Sequence, residues 1–82
     1  MSEEVSVIND SKKIATMIKK IRKQRKITQT ELADYAGLSR AGIAKIESGA
    51  SDIKLSTLIS IANLLGLDLY LKDRGSERGE SL

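Results

Sequence analysis

The stretch TQTELADYAGLSRAGIAKIESG, residues 28–49, holds two helix-start signals with a glycine between them. Thr28, followed three residues later by Glu31, reads as a capping box: the hydroxyl accepts a free backbone N–H and the carboxylate reaches back to the cap. Leu32, Ala33 and Ala36 then fall on the buried side of a helix that Gly37 leaves with positive φ, and Leu38 anchors the turn. Ser39 caps a second helix, in which Ile43 and Ile46 point inward and Gly49 marks the stop. Arg40, Ala41, Gly42, Ala44 and Lys45 share what surface remains, so this helix is sparsely covered in large side chains. Gly42 in its first turn costs about 1 kcal/mol against alanine. Something other than propensity favours it, and close approach of another molecule is one candidate.

Outward from this stretch, DSKKIATMIKKIRKQRK reads as a preceding helix. Ile14, Ile18, Ile21 and Arg25 share one face with Ala15 and Met17 beside it, and Asp10 or Ser11 can cap the start. Lys12, Lys19, Lys20, Lys23 and Lys26 lie mostly off that stripe. Downstream, STLISIANLLG predicts a fourth helix with Ser56 as cap, Leu58, Ile61, Ala62 and Leu65 inward and Gly66 as stop. Its surplus apolar residues, Ile59 and Leu64, suit a partner subunit or an extra core contact.

In LDLYLKD the period changes to two, with Leu67, Leu69 and Leu71 on one face and Asp68, Tyr70 and Lys72 on the other, which predicts a strand. A strand needs a mate: either VSVI, residues 5–8, or the same strand of a second copy across a two-fold axis, the preferred reading. The polar RGSERGESL shows no period and reads as a disordered tail. The expected organisation is therefore a flexible segment over residues 1–9, a helical domain over 10–66, a dimerisation strand over 67–73 and a disordered tail over 74–82. The fold class is all-α, with four to five helices and a C-terminal β-strand.

Composition removes several function classes. A chain of 82 residues with 40% hydrophobic content supports one compact domain, near the lower limit for independent folding. There is no cysteine and no histidine, so disulfides, thiolate or imidazole metal sites and Ser-His or Cys-His catalysis lack their parts. Glu31, Asp34 and Glu47 have capping or pairing roles, and no Gly-rich phosphate loop occurs, so neither an enzyme nor a cofactor or metal is expected. No apolar run approaches the roughly 20 residues of a membrane span. The start, MSEEVSVIND, is acidic where a signal peptide would be basic, so a cytoplasmic, nucleoid-associated protein is expected.

Charge is unevenly spread. Residues 10–54 hold eleven Lys or Arg against five Asp or Glu, while the rest of the chain is net acidic. Such a basic front half suits a polyanion, although a solvated helix face has the same composition. The turn decides between them. Two short helices joined by a three-residue, glycine-containing turn are the helix-turn-helix arrangement, whose second helix enters a DNA major groove with its first residues at the base edges. A plain helical hairpin in a bundle is the alternative.

The span from Ile18 to Leu67 resembles the phage-repressor-like (Cro-type, XRE-type) helix-turn-helix family. IRKQRKITQTELADYAGLSRAGIAKIESG matches its motif nearly throughout and LSTLISIANLLGLDL its closing helix. The resemblance implies a transcriptional repressor acting as a homodimer on a palindromic operator in double-stranded DNA. It implies base contacts at Arg40, Ala41, Gly42 and Lys45, and phosphate contacts at Thr28, Gln29 and Ser39, with Gln29 also bracing a base-reading neighbour. It makes Arg22 and Glu47 a buried ion pair between the first and third helices. Leu67, Leu69 and Leu71 are the expected dimerisation residues. Two departures stand out. The family usually has glycine where Lys26 stands, so the turn after the first helix is expected to be strained or one residue different. Ala41 and Gly42 also offer few hydrogen bonds, so specificity would lean on Arg40, Lys45 and DNA shape.

A terminal strand after the fourth helix is similar to the HipB-type antitoxins of this family. That resemblance implies a HipA-like Ser/Thr kinase toxin as partner and an operon repressed by its own product. The alternative is a phage-type repressor or restriction-modification controller without a toxin.

Overall fold

Asp10 starts the fold: its carboxylate accepts the Lys13 N–H at 2.9 Å. From there the computed structural model, which describes residues 7–75, winds α1 (Ser11–Gln24), α2 (Gln29–Ala36), α3 (Arg40–Glu47) and α4 (Leu55–Leu65). Every helix contributes to one core of Ile18 and Ile21, Leu32 and Ala33, Ile43 and Ile46, and Ile61 and Leu65. α2 packs against both α3 and α4, and α1 closes the bundle across the same two helices. Five of these eight core side chains are branched isoleucines, which α1, α3 and α4 contribute around Leu32 and Ala33 of α2.

The four helices end alike. After each, two backbone bonds close the last turn: Lys26 N–H to Lys23 O and Ile27 N–H to Arg22 O after α1, with the same register at Gly37 and Leu38, Gly49 and Ala50, and Gly66 and Leu67. This is the Schellman termination, with its left-handed residue followed by a residue that packs back. Three of these left-handed positions are glycine; the fourth is Lys26, at φ 60°. The turn after α1 therefore keeps the ordinary register and carries a strained residue.

Arg25 ties α1 to α4. Its Nε donates to the Leu65 carbonyl at 3.0 Å, placing a cation on one of the free carbonyls at the C-terminus of α4.

Two expectations are corrected. α4 begins at Leu55, and its cap is Lys54, which offers no side-chain bond; Ser56 lies inside the first turn, one residue past the start of the helix. The C-terminal strand is absent from the described residues: positions 67–75 run without regular structure. Alternation alone does not make a strand, which needs a neighbour for its backbone groups. Nor do the three leucines share a face, since Leu67 packs against the core while Leu69 is 44% and Leu71 100% exposed. Residues 5 and 6 of the VSVI segment and residues 76–82 of the tail lie outside the described residues.

Candidate nucleic-acid interface

The site is built from the turn between α2 and α3. Thr28 Oγ1 accepts the Glu31 N–H at 3.0 Å and Glu31 Oε1 accepts the Thr28 N–H at 2.8 Å, completing the capping box. Gly37 leaves α2 at φ 71°, Leu38 packs against the core, and Ser39 Oγ accepts the Gly42 N–H at 3.0 Å to start α3. A Cβ at Gly42 would stand 3.3 Å from that same Oγ. Gly42 therefore has an internal reason, an uncrowded cap.

Burial of Ile43, Ile46 and Glu47 fixes how α3 faces. At about 100° per residue, Ala41 and Lys45 fall on the side opposite that buried stripe, with Gly42 and Ala44 flanking them, while Arg40 stands at the start of the helix. Arg40, Ala41 and Lys45 are exposed and Gly42 is half-buried. Neither Arg40 nor Lys45 makes an ion pair with a carboxylate among the described residues. The result is an outward face of little bulk that carries Lys45, with Arg40 exposed at the helix start, on a helix whose back is locked into the core.

The lock is polar as well as apolar. Arg22 donates through Nε to Glu47 Oε2 at 2.5 Å and through Nη2 to Glu47 Oε1 at 3.0 Å, while Nη1 donates to the Ile27 carbonyl at 2.8 Å. Both partners are buried, at 8% and 7% exposure. Gln29 Nε2 adds a third donor to the carboxylate, at 3.1 Å from Oε1. One carboxylate thus joins α1, the first residue of α2 and the end of α3.

The Gln29–Glu47 bond lies outside the expected roles, in which Gln29 braces a base-facing neighbour; here its amide goes to the far end of α3. Arg25 on Leu65 was also missed, although its place on the apolar stripe of α1 was a signal that it is held by the fold. Among the described residues no helix is long and apolar enough to cross a membrane.

The family model of the helix-turn-helix matches residues 18–71. The chain belongs to the helix-turn-helix family. Among curated relatives of this helix-turn-helix chain, the immunity repressor protein of Bacillus phage phi105 is 45% identical over 56 residues, 68% of this chain and 39% of that protein. The HTH-type transcriptional regulator YqaE of Bacillus subtilis (strain 168) is 40% identical over 63 residues, 74% of this chain and 54% of that protein. The chain spans about half the length of these curated relatives or less. A solved structure of a HipA-HipB-O2-O3 complex is similar at 30% identity and a TM-score of 0.74, covering 85% of this helix-turn-helix chain and 99% of that one. A HipB-O4 20mer complex is similar at 30% identity and a TM-score of 0.73, with the same coverage.

Proposed function

We propose that the chain is a sequence-specific DNA-binding transcriptional repressor that acts as a homodimer, with α3 laid in the major groove. The observation that carries the reading is the exposed surface of α3, where Arg40 at its start and Ala41 and Lys45 on its outer side stand on a helix fixed from behind by Ile43, Ile46 and the Arg22–Glu47 pair. Arg40 can fork onto guanine O6 and N7, Ala41 can meet a thymine methyl, Gly42 admits a base edge, and Lys45 reaches a base or the adjacent backbone. Thr28, Gln29 and Ser39, at the starts of α2 and α3, serve phosphates. The chain is not an enzyme, takes no cofactor and works in the cytoplasm at the nucleoid.

Dimerisation uses the exposed apolar side chains of α4 and the segment after it: Leu55 and Ile59, with Leu69, Tyr70 and Leu71. A chain this small rarely leaves so many large apolar groups in water without a partner for them. Two copies related by a two-fold axis read half-sites about 34 Å apart.

The finer role is the antitoxin of a HipA-like kinase, repressing its own operon. It is supported by the near-complete coverage of HipB chains by this one, at 99% in the HipA-HipB-O2-O3 complex. A second reading, a phage-type repressor without a toxin, is favoured by the higher identity, 45%, to the phage immunity repressor.

In vitro selection of random duplex DNA at near-physiological salt tests the repressor role. A two-fold consensus with half-sites one helical turn apart is expected, and a folded protein that enriches no sequence overturns the reading. Co-expression with a HipA-like kinase separates the two finer roles: a stable hetero-complex on the selected DNA supports the antitoxin, and independent migration supports the phage-type repressor.

A further inference from the structure

The four Schellman terminations allow a comparison within one molecule. Each has the same two closing bonds, yet the left-handed position holds glycine after α2, α3 and α4 and lysine after α1. Lys26 is the one non-glycine residue of the described chain with positive φ. There its Cβ crowds the following carbonyl, a contact that glycine lacks. The closing bonds that hold this backbone are the same ones formed at the three glycines, and the lysine side chain adds none: Lys26 is exposed, and it makes no side-chain hydrogen bond or ion pair among the described residues. Strain of this kind persists where the surrounding structure holds it, and it clusters at functional sites.

Location supplies the use. Lys26 ends a run of exposed lysines that includes Lys19, Lys20 and Lys23, and it lies two residues, at most about 7 Å of chain, from the Thr28 cap of α2. Its backbone is also held firmly. Ile27, the next residue, is fixed twice, by its own N–H on Arg22 O and by Arg22 Nη1 on its carbonyl. The lysine thus stands exposed on a turn whose backbone is held by hydrogen bonds, two residues before the Thr28 cap of α2. We infer that Lys26 occupies a glycine position for its charge, as a DNA-phosphate contact that extends the interface beyond α2 and α3. This rests on the DNA-binding reading above and adds a residue to it.

The test compares full-length wild type with Lys26→Gly, Lys26→Asn and Lys26→Arg. Glycine and asparagine both suit the left-handed backbone and remove the charge, whereas arginine keeps it. Affinity for the selected operator and for random duplex DNA is measured across a salt series, with Tm for each variant. The Gly variant melts a few degrees above wild type. Gly and Asn variants bind both DNAs more weakly by about five-fold per protomer at 0.15 M salt, and the slope of log K against log salt falls by about one per protomer. The Arg variant retains wild-type slope and affinity. Gly and Asn variants that match wild type within two-fold, with unchanged slopes, overturn the inference while the DNA reading stands. A wild type with no salt-dependent DNA binding overturns both.

Discussion

Arg22 and Glu47, 25 residues apart, meet in two side-chain hydrogen bonds at less than 10% exposure each. A buried pair of this kind is held by its geometry: each charge has lost its water and depends on the other. Arg22 spends its third nitrogen on the Ile27 carbonyl, and Glu47 takes a further bond from Gln29. The pair therefore sets where α1, the start of α2 and the end of α3 meet.

Removing one partner leaves an uncompensated buried charge, so Glu47→Ala or Arg22→Ala is expected to cost about 3–5 kcal/mol, a large share of the stability of a domain this size. The double variant Arg22→Met with Glu47→Leu should cost clearly less than either single change. Urea unfolding of the three proteins decides it: single variants within 1 kcal/mol of wild type, about the value of an exposed pair, would show that the pair is merely solvated.

Helix capping offers an internal control. Ser39→Ala removes the acceptor of the Gly42 N–H and should cost about 1 kcal/mol. Ser56→Ala should change stability by no more than about 0.5 kcal/mol, because Ser56 lies inside the first turn of α4 and alanine is the better helix former. Lys54→Asp supplies the acceptor that α4 lacks and is expected to stabilise by about 1 kcal/mol. Equal losses for the two serines would place the start of α4 at Ser56 after all.

The contrast between those serines shows which features the sequence displays. The capping box at Thr28, the Ser39 cap and the glycine stops follow from spacings of three or four residues, and the isoleucines at helical period place the core. The start of α4 is less determined locally, since its register is set by how Ile61 and Leu65 reach the core. LDLYLKD has the period of a strand, but pairing depends on a neighbour that no local pattern reveals. Gln29 on Glu47 and Arg25 on Leu65 join residues 18 and 40 positions apart, for which no spacing rule exists. On the exposed surface of α3, exposure and charge follow from period, whereas any pairing with a base depends on the DNA itself.

Arg25→Ala should lower stability by about 0.5–1.5 kcal/mol, the usual net worth of one hydrogen bond, with a further contribution from the helix dipole. A lower urea midpoint with an unchanged m-value is the expected signature. An unchanged midpoint would mean that water serves the Leu65 carbonyl equally well.

Base reading and phosphate binding are expected to separate on two residues of α3. Arg40→Ala is expected to lose about 1–3 kcal/mol on the selected operator and to relax preference at one base pair, while random DNA is bound nearly as before. Lys45→Ala, if its contact is to phosphate alone, weakens all sequences alike. Competition binding with operator and scrambled duplexes reads both, and equal losses on the two DNAs for Arg40→Ala would remove its base-reading role.

Association is expected to depend on the apolar surface of α4 and its following segment rather than on a paired strand. Ile59 and Leu69 are each 44% exposed and line one groove with Leu55, Ala62 and Leu67. An aspartate at either position adds a charge that must be desolvated when two such surfaces meet, while in the free chain it remains in water. Ile59→Asp and Leu69→Asp should therefore yield folded monomers by sedimentation, with Tm close to that of a wild-type monomer and with weakened binding to a two-fold operator but less change on a single half-site. Dimers that persist in both variants would move the contact elsewhere on the chain, and a wild type that sediments as a monomer on and off DNA would remove the homodimer.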